Sequence, residues 1–274
     1  MSATPTPVTS AQILRPGRPL QSAGQAIPPA PSADHTSALL LATRHSPVRR
    51  SFSGGGPLAT FFDALFRAHG EQHWWPGRSP FEIIVGAILV QNTTWLNAAS
   101  AIANLRQVRL LTPAAIGKIP QPKLARLIRS SGYFRQKARK LKAFVMFLRN
   151  EHRGSLAAMF RTPTATLRAQ LLAVHGIGPE TADSILLYAG HHPVFVVDAY
   201  TRRILHRHGL ATGKEPYEAL RALFENSLPA DPQLFNEFHA LIVLTGKNHC
   251  RARAPLCSQC PLGSLLPSLP EGAQ

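Results

Sequence analysis

In the second half of the chain, an apolar run ends in a single carboxylate. Val194–Val197 is followed by Asp198, and Ala199–Arg203 then begins a basic helical pattern. A carboxylate in this position can cap the N-terminus of the helix. It can also stabilise a positive charge that develops on a bound substrate, or orient a water molecule for attack. The two roles are compatible, so Asp198 is the first candidate catalytic residue.

Two glycines lie upstream of this carboxylate, between two helical patterns. The segment His175-Gly176-Ile177-Gly178 is followed by Pro179, a residue suited to the first turn of a helix. Glycines let the backbone turn tightly and approach another molecule closely. The free N–H groups at a helix N-terminus also attract phosphate. The segment therefore predicts either an anion site or a turn with a purely structural role.

The hairpin, the loop Gly190-His191-His192-Pro193 and Asp198 together resemble the signature of the endonuclease III, or helix-hairpin-helix-GPD, superfamily of DNA glycosylases. The resemblance covers about residues 58 to 266. It implies an all-α, two-domain fold, with a six-helix barrel domain and a second, terminal helical domain. The expected boundaries are 78–190 for the six-helix domain, 58–77 plus 191–266 for the second domain, and 1–57 and 267–274 for the tails.

The resemblance also assigns roles to individual residues. Gly176 and Gly178 match the hairpin glycines that hold a DNA phosphate through backbone N–H groups, and Asp198 matches the catalytic aspartate. Gln91 matches the glutamine that fills the space left in the duplex when the damaged nucleotide flips out. Double-stranded DNA with a damaged base is therefore the expected partner, and a monomer the expected state.

One position departs from the endonuclease III pattern. Bifunctional members carry a lysine in the second helix of the motif, whose amine forms an imine with the sugar and permits strand cleavage. The aligned residue here is Glu180, and a carboxylate cannot form that imine. A monofunctional glycosylase is expected unless another lysine reaches the site. The sequence offers no obvious candidate among the lysines at 118, 123, 137, 140, 142, 214 and 247.

A paired tryptophan motif points to one branch of this superfamily. His73-Trp74-Trp75-Pro76, followed by Gln91-Asn92-Thr93-Thr94-Trp95, is similar to the 3-methyladenine glycosylases. In that branch aromatic side chains sandwich a flipped alkylated purine. An indole face attracts such a cationic or electron-poor base. Trp74 and Trp75 are therefore candidates for the base pocket, with core packing as the alternative.

The cysteines have the spacing of an incomplete cluster loop. Cys250, Cys257 and Cys260 are odd in number and crowded, which excludes a disulfide framework and favours a reducing compartment. They match three ligands of the family's 4Fe-4S cluster, but Leu266 stands where the fourth cysteine is expected. His249 or solvent as the fourth ligand, a zinc ion on three cysteines and a histidine, and a decayed remnant all remain open.

The charge composition favours a polyanionic partner. Lys and Arg number 30 against 14 Asp and Glu, giving a formal charge of +16. An arginine-rich compositional bias is the alternative explanation. Arg202, Arg251 and Arg253 lie near the motifs and are candidate DNA contacts, as the neighbouring Arg203 and Arg207 also are. The basic residues at 137, 139, 140 and 142 predict an ordinary charged helix face.

Helical periodicity extends from Pro57 onward, and strand-like alternation is almost absent. Residues 1–57 are rich in Pro, Ala and Arg and predict a disordered tail, for which phosphate contacts, targeting or no specific role are open. No apolar run is long enough to span a bilayer. We expect a cytoplasmic, nucleoid-associated protein if the source is bacterial. Helices are predicted at 58–66, 81–89, 93–106, 122–130, 134–150, 164–173, 179–189, 199–208, 215–227 and 231–246.

Three functions are compatible with these features. The leading hypothesis is a monofunctional base-excision-repair glycosylase acting on alkylated purines such as 3-methyladenine. The second is an endonuclease III-type glycosylase and AP lyase acting on oxidised pyrimidines, which needs an amine nucleophile. The third is a DNA-damage binding protein without catalysis, against which the presence of Asp198 in its motif argues.

Overall fold

A computed structural model describes residues 56–72 and 74–267 of the 274-residue chain. The tail predicted at 1–57 lies outside the described residues except for its last two positions. The tail predicted at 267–274 lies outside them except for its first position. Every regular element in the described part is helical, which confirms the all-α prediction.

Twelve α-helices form in the described part of the chain. They are α1 (Pro57–His69), α2 (Pro80–Leu89), α3 (Trp95–Gln107), α4 (Pro113–Lys118), α5 (Gln121–Leu127), α6 (Phe134–His152), α7 (Leu156–Met159), α8 (Thr164–Leu172), α9 (Pro179–Ser184), α10 (Ala199–Arg207), α11 (Tyr217–Ser227) and α12 (Pro232–Asn248). A π-helical turn, Ile185–Ala189, continues α9. Three 3-10 turns lie at Arg129–Ser131, Cys257–Gln259 and Gly263–Leu265.

Local sequence sets the starts of these helices. Proline begins α1, α2, α4, α9 and α12, at a position that needs no backbone N–H. The side chains of Ser79, Thr94, Thr112 and Asp231 accept backbone N–H groups at the starts of α2, α3, α4 and α12. These caps explain why the predicted helices are present with ends shifted by only a few residues.

The helix pattern differs from the prediction in two respects. The short helices α4 and α7 are not predicted, because so few residues show no helical periodicity. The predicted helix at 179–189 is divided between α9 and the π-helical turn. Turns of this type occur frequently at functional sites, and this one carries Tyr188.

Two apolar helices form the centre of the packing. α2 is buried over most of its length and packs on α3, α6 and the π-helical turn. α12 packs on α1, α10 and the same turn. The π-helical turn therefore contacts both central helices, and its side chains lie where the elements of the candidate site converge.

An aromatic cluster fixes the loop that leads to residue 198. Phe195 is fully buried and stacks on Phe224 of α11, with 3.7 Å between the ring centroids. Phe235 and Phe238 of α12 pack edge-on against Phe195. Packing in this region is dense, as in protein interiors generally. The position of Asp198 therefore depends on α11 and α12 as well as on its own helix.

The division of the chain into two domains, with boundaries at 78–190 and at 58–77 plus 191–266, stays a prediction. Between residues 56 and 267, His73 apart, no helix combines the length and apolar character needed to cross a membrane.

The charged face predicted for α6 is wrong for one of its residues, Lys137. This lysine is 2% exposed, and its ammonium donates to the carbonyl oxygens of Leu89 at 2.8 Å and Ser131 at 2.5 Å. Arg139 is exposed, and Lys142 is partly exposed and donates to backbone carbonyls near the end of α4. Because long alkyl stems let lysines reach distant acceptors, Lys137 and Lys142 connect α6 to its neighbours.

We expect Lys137→Met to lower the free energy of unfolding by about 2 kcal/mol at pH 7, because two buried carbonyls lose their donor. Chemical denaturation followed by circular dichroism measures this change. Lys123→Met is the matched control at an exposed lysine and should stay within about 0.5 kcal/mol of wild type. Equal stability of the two variants would contradict a structural role for Lys137.

The difference in the free energy of unfolding between wild type and Lys137→Met should depend on pH. Burial and the neighbouring Lys140 lower the pKa of Lys137 from 10.5 to about 8. Between these values the unfolded chain holds a proton that the folded chain has released. Wild-type stability should therefore rise relative to that of Lys137→Met as the pH increases through this window.

Candidate active site

Glycine is required at the hairpin between α8 and α9. Gly176 has φ +81°, and a Cβ at this position would lie 2.5 Å from Cγ of Lys140. Ile177 is buried and anchors the turn, while Gly178 caps α9. Among the described residues, no backbone carbonyl accepts the N–H groups of Gly176 and Gly178. Both donors are therefore available to an anion.

Asp198 is the N-cap of α10, as its position in the sequence predicts. Its Oδ1 accepts the backbone N–H of Thr201 at 2.8 Å and the Thr201 hydroxyl at 3.0 Å. Its Oδ2 lies 3.7 Å from Nε2 of His239. The cap therefore fixes one oxygen, and the second oxygen is not held by the cap.

Glu180 interacts with this carboxylate. Burial and the charge of Asp198 together raise the pKa of Glu180 to about 7, against the opposing charge of Arg202. The Glu180 side chain keeps an exposed surface even so. Glu180, which the sequence resemblance predicts to occupy the position of the lysine in bifunctional glycosylases, is thus a carboxyl group that is partly protonated at neutral pH.

Two residues of α12 belong to the site that sequence reasoning did not identify. Burial lowers the pKa values of both His239 and Lys247, and the charge of Asp198 raises both. They are separated by about two helical turns, so they lie on the same face of α12, about 12 Å apart along its axis. The spacing of His239 and Lys247 was the available sequence signal that they belong together. Only the packing of α12 against α10 brings the two side chains to Asp198.

Gln91 lies against the hairpin. Its Nε2 donates to the carbonyl of Gly176 at 3.2 Å and to the hydroxyl of Thr181 at 2.8 Å. The Lys140 ammonium donates to its Oε1. Gln91 thus connects the residues after α2 to the hairpin, and its insertion into a DNA duplex stays a prediction.

The two tryptophans of the paired motif have different surroundings. Trp75 packs against Trp95 and Tyr188, with ring centroids 5.1 Å and 5.0 Å away. Trp74 is half-buried, and the Lys247 ammonium lies 5.8 Å from its ring centroid. Trp75 is therefore part of the packing around Tyr188, whereas Trp74 lies beside the charged residues of α12.

The candidate DNA-binding arginines also differ in their contacts. Arg251 and Arg253 are exposed in the loop after α12. Arg202 donates to the carbonyl of Glu215 at 2.8 Å. Arg203 donates to the carbonyls of Cys250 and Gly246, at 2.7 Å and 3.0 Å, and so serves to hold this loop.

Arg207 makes the most extensive contacts with the cysteine loop. Its guanidinium donates to Sγ of Cys250 at 3.2 Å, to the carbonyl of Arg251 at 2.6 Å and to that of Ala252 at 3.1 Å. Five donors in a planar fork suit a guanidinium to this task. Sequence reasoning treated Arg207 as a DNA contact, but its donors are used inside the protein.

The cysteine loop does not fit a closed four-thiolate cluster. Leu266, at the position of the fourth cysteine, lines one small cavity together with Cys250, Cys257, Cys260, His249, His208, Arg207 and Gly263. Burial and the other two cysteines raise the pKa of Cys260. Within residues 56–72 and 74–267, no group of three or more His, Cys, Asp or Glu side chains is arranged to hold a metal ion.

These features define a class of protein: a helical protein with a glycine hairpin whose N–H groups are available to an anion, and an aspartate that caps α10. The family model described as HhH-GPD superfamily base excision DNA repair protein matches residues 85–230. The chain belongs to this superfamily of DNA glycosylases.

Individual relatives agree with this assignment. The chain is 43% identical over 203 residues to the "Putative DNA repair glycosylase" of Methanocaldococcus jannaschii, covering 73% of this chain and 91% of the relative. The H. pylori 3-methyladenine DNA glycosylase MagIII, solved with 1,N6-ethenoadenine, is 30% identical with a TM-score of 0.59, covering 67% of this chain and 94% of that one. A non-covalent endonuclease III–DNA complex has a TM-score of 0.66 at 24% identity, covers 76% and 92% of the two chains, and shows the shared fold.

We expect Arg207→Met to open the cysteine loop. The substitution removes all three hydrogen bonds from the guanidinium to the loop, and since one charge-assisted bond alone is worth about 1.5 kcal/mol, the rate at which Cys250 reacts with a thiol reagent should rise by at least about tenfold. Arg251→Met, at an exposed arginine of the same loop, is the matched control. A loop held by metal would instead give stoichiometric iron or zinc in the purified protein and no change of thiol reactivity in Arg207→Met.

Proposed function

We propose that the protein is a monofunctional DNA glycosylase that removes alkylated purines such as 3-methyladenine from duplex DNA. The observation that carries this proposal is Glu180, a carboxyl group that faces Asp198 where bifunctional relatives have a lysine. The likeness to the H. pylori 3-methyladenine glycosylase supports the choice of base.

Asp198 is the proposed catalytic residue. As the bond between C1′ and the base nitrogen breaks, its electrons leave with the base and positive charge develops on the sugar. An ionised carboxylate at the start of α10 stabilises that charge, and a water molecule supplies the oxygen that bonds to C1′. Glu180 has a pKa of about 7 and can take up the proton of this water.

DNA is held through its backbone in this proposal. The free N–H groups of Gly176 and Gly178 bind one phosphate, and the exposed Arg251 and Arg253 contact others. Gln91 leaves its hydrogen bonds at the hairpin to fill the space of the flipped nucleotide. Trp74 faces the released base, because it lies beside Lys247 and is only half-buried. A monomer suffices for all of these contacts.

For the cysteine loop we propose a structure that does not depend on the family's 4Fe-4S cluster. Three cysteines and Leu266 leave the fourth position without a thiolate, and Arg207 holds Cys250 and two adjacent carbonyls. The loop would then present Arg251 and Arg253 to DNA without a metal.

A specific observation favours the bifunctional alternative as a second candidate. Lys247 lies close enough to Asp198 for their charges to interact, and burial lowers the pKa of its amine. An amine with a lowered pKa is a better nucleophile at neutral pH. The amine of Lys247 would attack C1′ and displace the base; opening of the C1′–O4′ bond, with the amine's proton passing to O4′, would then give the imine, and β-elimination would expel the 3′ phosphate.

Asp198→Asn should lower the single-turnover rate of base release from methylated duplex DNA by at least about 100-fold. Asparagine keeps the helix cap, so affinity for the DNA should change by less than about threefold. Asp231→Asn is the matched control, since it changes the cap of α12 in the same way. Base release by Asp198→Asn at the wild-type rate would contradict the assignment.

Borohydride treatment of the protein on a duplex with an abasic site separates the two candidate functions. The monofunctional proposal predicts no covalent protein–DNA product, because Glu180 cannot form an imine. A product that disappears in Lys247→Arg but persists in Lys214→Arg, at an exposed lysine, would establish the second candidate instead.

A further inference from the structure

A buried chain of three polar side chains ends at the proposed catalytic carboxylate. The hydroxyl of Tyr188, in the π-helical turn, is hydrogen-bonded to Nδ1 of His239 on α12. Nε2 of the same imidazole lies 3.7 Å from Oδ2 of Asp198. Tyr188 is 3% and His239 5% exposed. The chain therefore connects the protein interior to the reacting group without intervening solvent.

The imidazole nitrogen that faces Asp198 is unusual in its surroundings. Nε2 of His239 is buried and has no hydrogen-bond partner within the described residues. A buried polar atom without a partner costs free energy, typically about 1–3 kcal/mol. Each such atom needs an explanation, and for Nε2 of His239 the structure gives a charged group within reach, the carboxylate of Asp198 at 3.7 Å.

The tyrosine determines which imidazole nitrogen carries the proton. Burial raises the pKa of Tyr188 well above its usual value and lowers that of His239, so the phenol keeps its proton and the imidazole is neutral. When the phenol donates to Nδ1, the remaining imidazole proton is on Nε2. The opposite tautomer would direct a lone pair at the carboxylate. The favourable arrangement directs Nε2–H at Oδ2 of Asp198.

The two oxygens of Asp198 are therefore controlled from different elements. Thr201, on α10 itself, holds Oδ1 through two hydrogen bonds. Oδ2 is approached by His239, from α12. A separation of 3.7 Å is longer than a hydrogen bond, but catalytic hydrogen bonds are often long without substrate and tighten in the complex.

We propose that His239 is a positioning residue for Asp198, oriented by Tyr188, and that it fixes the plane of the carboxylate as the glycosidic bond breaks. The inference rests on the proposed catalytic role of Asp198. His239 does not touch the substrate in this account. It acts by keeping Oδ2 directed, because a displacement of a charged group by about 1 Å can cost about 100-fold in rate.

Three substitutions at one position test this role. In His239→Gln the side-chain amide reaches the place of Nε2, in His239→Asn it reaches only the place of Nδ1, and His239→Leu provides no donor. We measure single-turnover base release from methylated duplex DNA, and binding to a duplex with a tetrahydrofuran abasic-site analogue. Gln and Asn bury the same polar group, so the pair separates the effect on catalysis from the effect on folding.

The expected result is a rate about 10- to 100-fold below wild type for His239→Leu and His239→Asn, with affinity for the abasic analogue within about threefold. His239→Gln should recover most of the rate. Tyr188→Phe should lower the rate as well, and should add little in the His239→Leu background, because both act through one contact.

Two results would overturn the proposal. One is a wild-type rate in His239→Leu, and the other is equal loss in the Gln, Asn and Leu variants together with loss of DNA binding. Asp198→Asn separates a failure of the proposed function from a failure of the positioning role alone. If Asp198→Asn keeps its activity, the proposed function fails; if it is inactive while His239→Leu is fully active, only the positioning role fails.

Discussion

The site depends on one carboxylate that stays charged and holds one direction at the start of a helix. Capping supplies part of this, since Thr201 binds one oxygen of Asp198 through two hydrogen bonds. The rest comes from tertiary packing. Phe195 anchors the loop before Asp198 against α11 and α12, so the carboxylate cannot shift without disturbing a close-packed aromatic cluster.

Both acidic and basic groups surround this carboxylate, and their charges partly offset one another. Glu180 is a second acid beside Asp198, and burial together with the charge of Asp198 raises its pKa to about 7. Lys247 and Arg202 counter the negative charge from α12 and α10. His239 adds a neutral dipole from the interior. One acid can thus stay ionised while the other exchanges protons, which is the division of roles that water-dependent hydrolysis of a glycosidic bond needs.

The sequence predicted those features that local patterns encode. Helix boundaries follow from prolines and capping side chains, and the hairpin and Asp198 follow from a contiguous motif. Roles that depend on distant elements were not readable. A lysine that is buried, such as Lys137, has the same sequence signature as a solvated one. Likewise, nothing local shows that Lys247 approaches Asp198, or that Arg207 spends its donors on the cysteine loop.

The most direct test is to incubate the purified protein with methylated duplex DNA, identify the released bases by mass spectrometry, and count strand breaks before and after alkali. The account predicts free 3-methyladenine, with breaks that appear only after alkali, because water and not an amine attacks the sugar. Strand breaks without alkali at oxidised pyrimidines, with no methylated base released, would contradict it. Tight binding to the damaged duplex with no base released at all would contradict it equally.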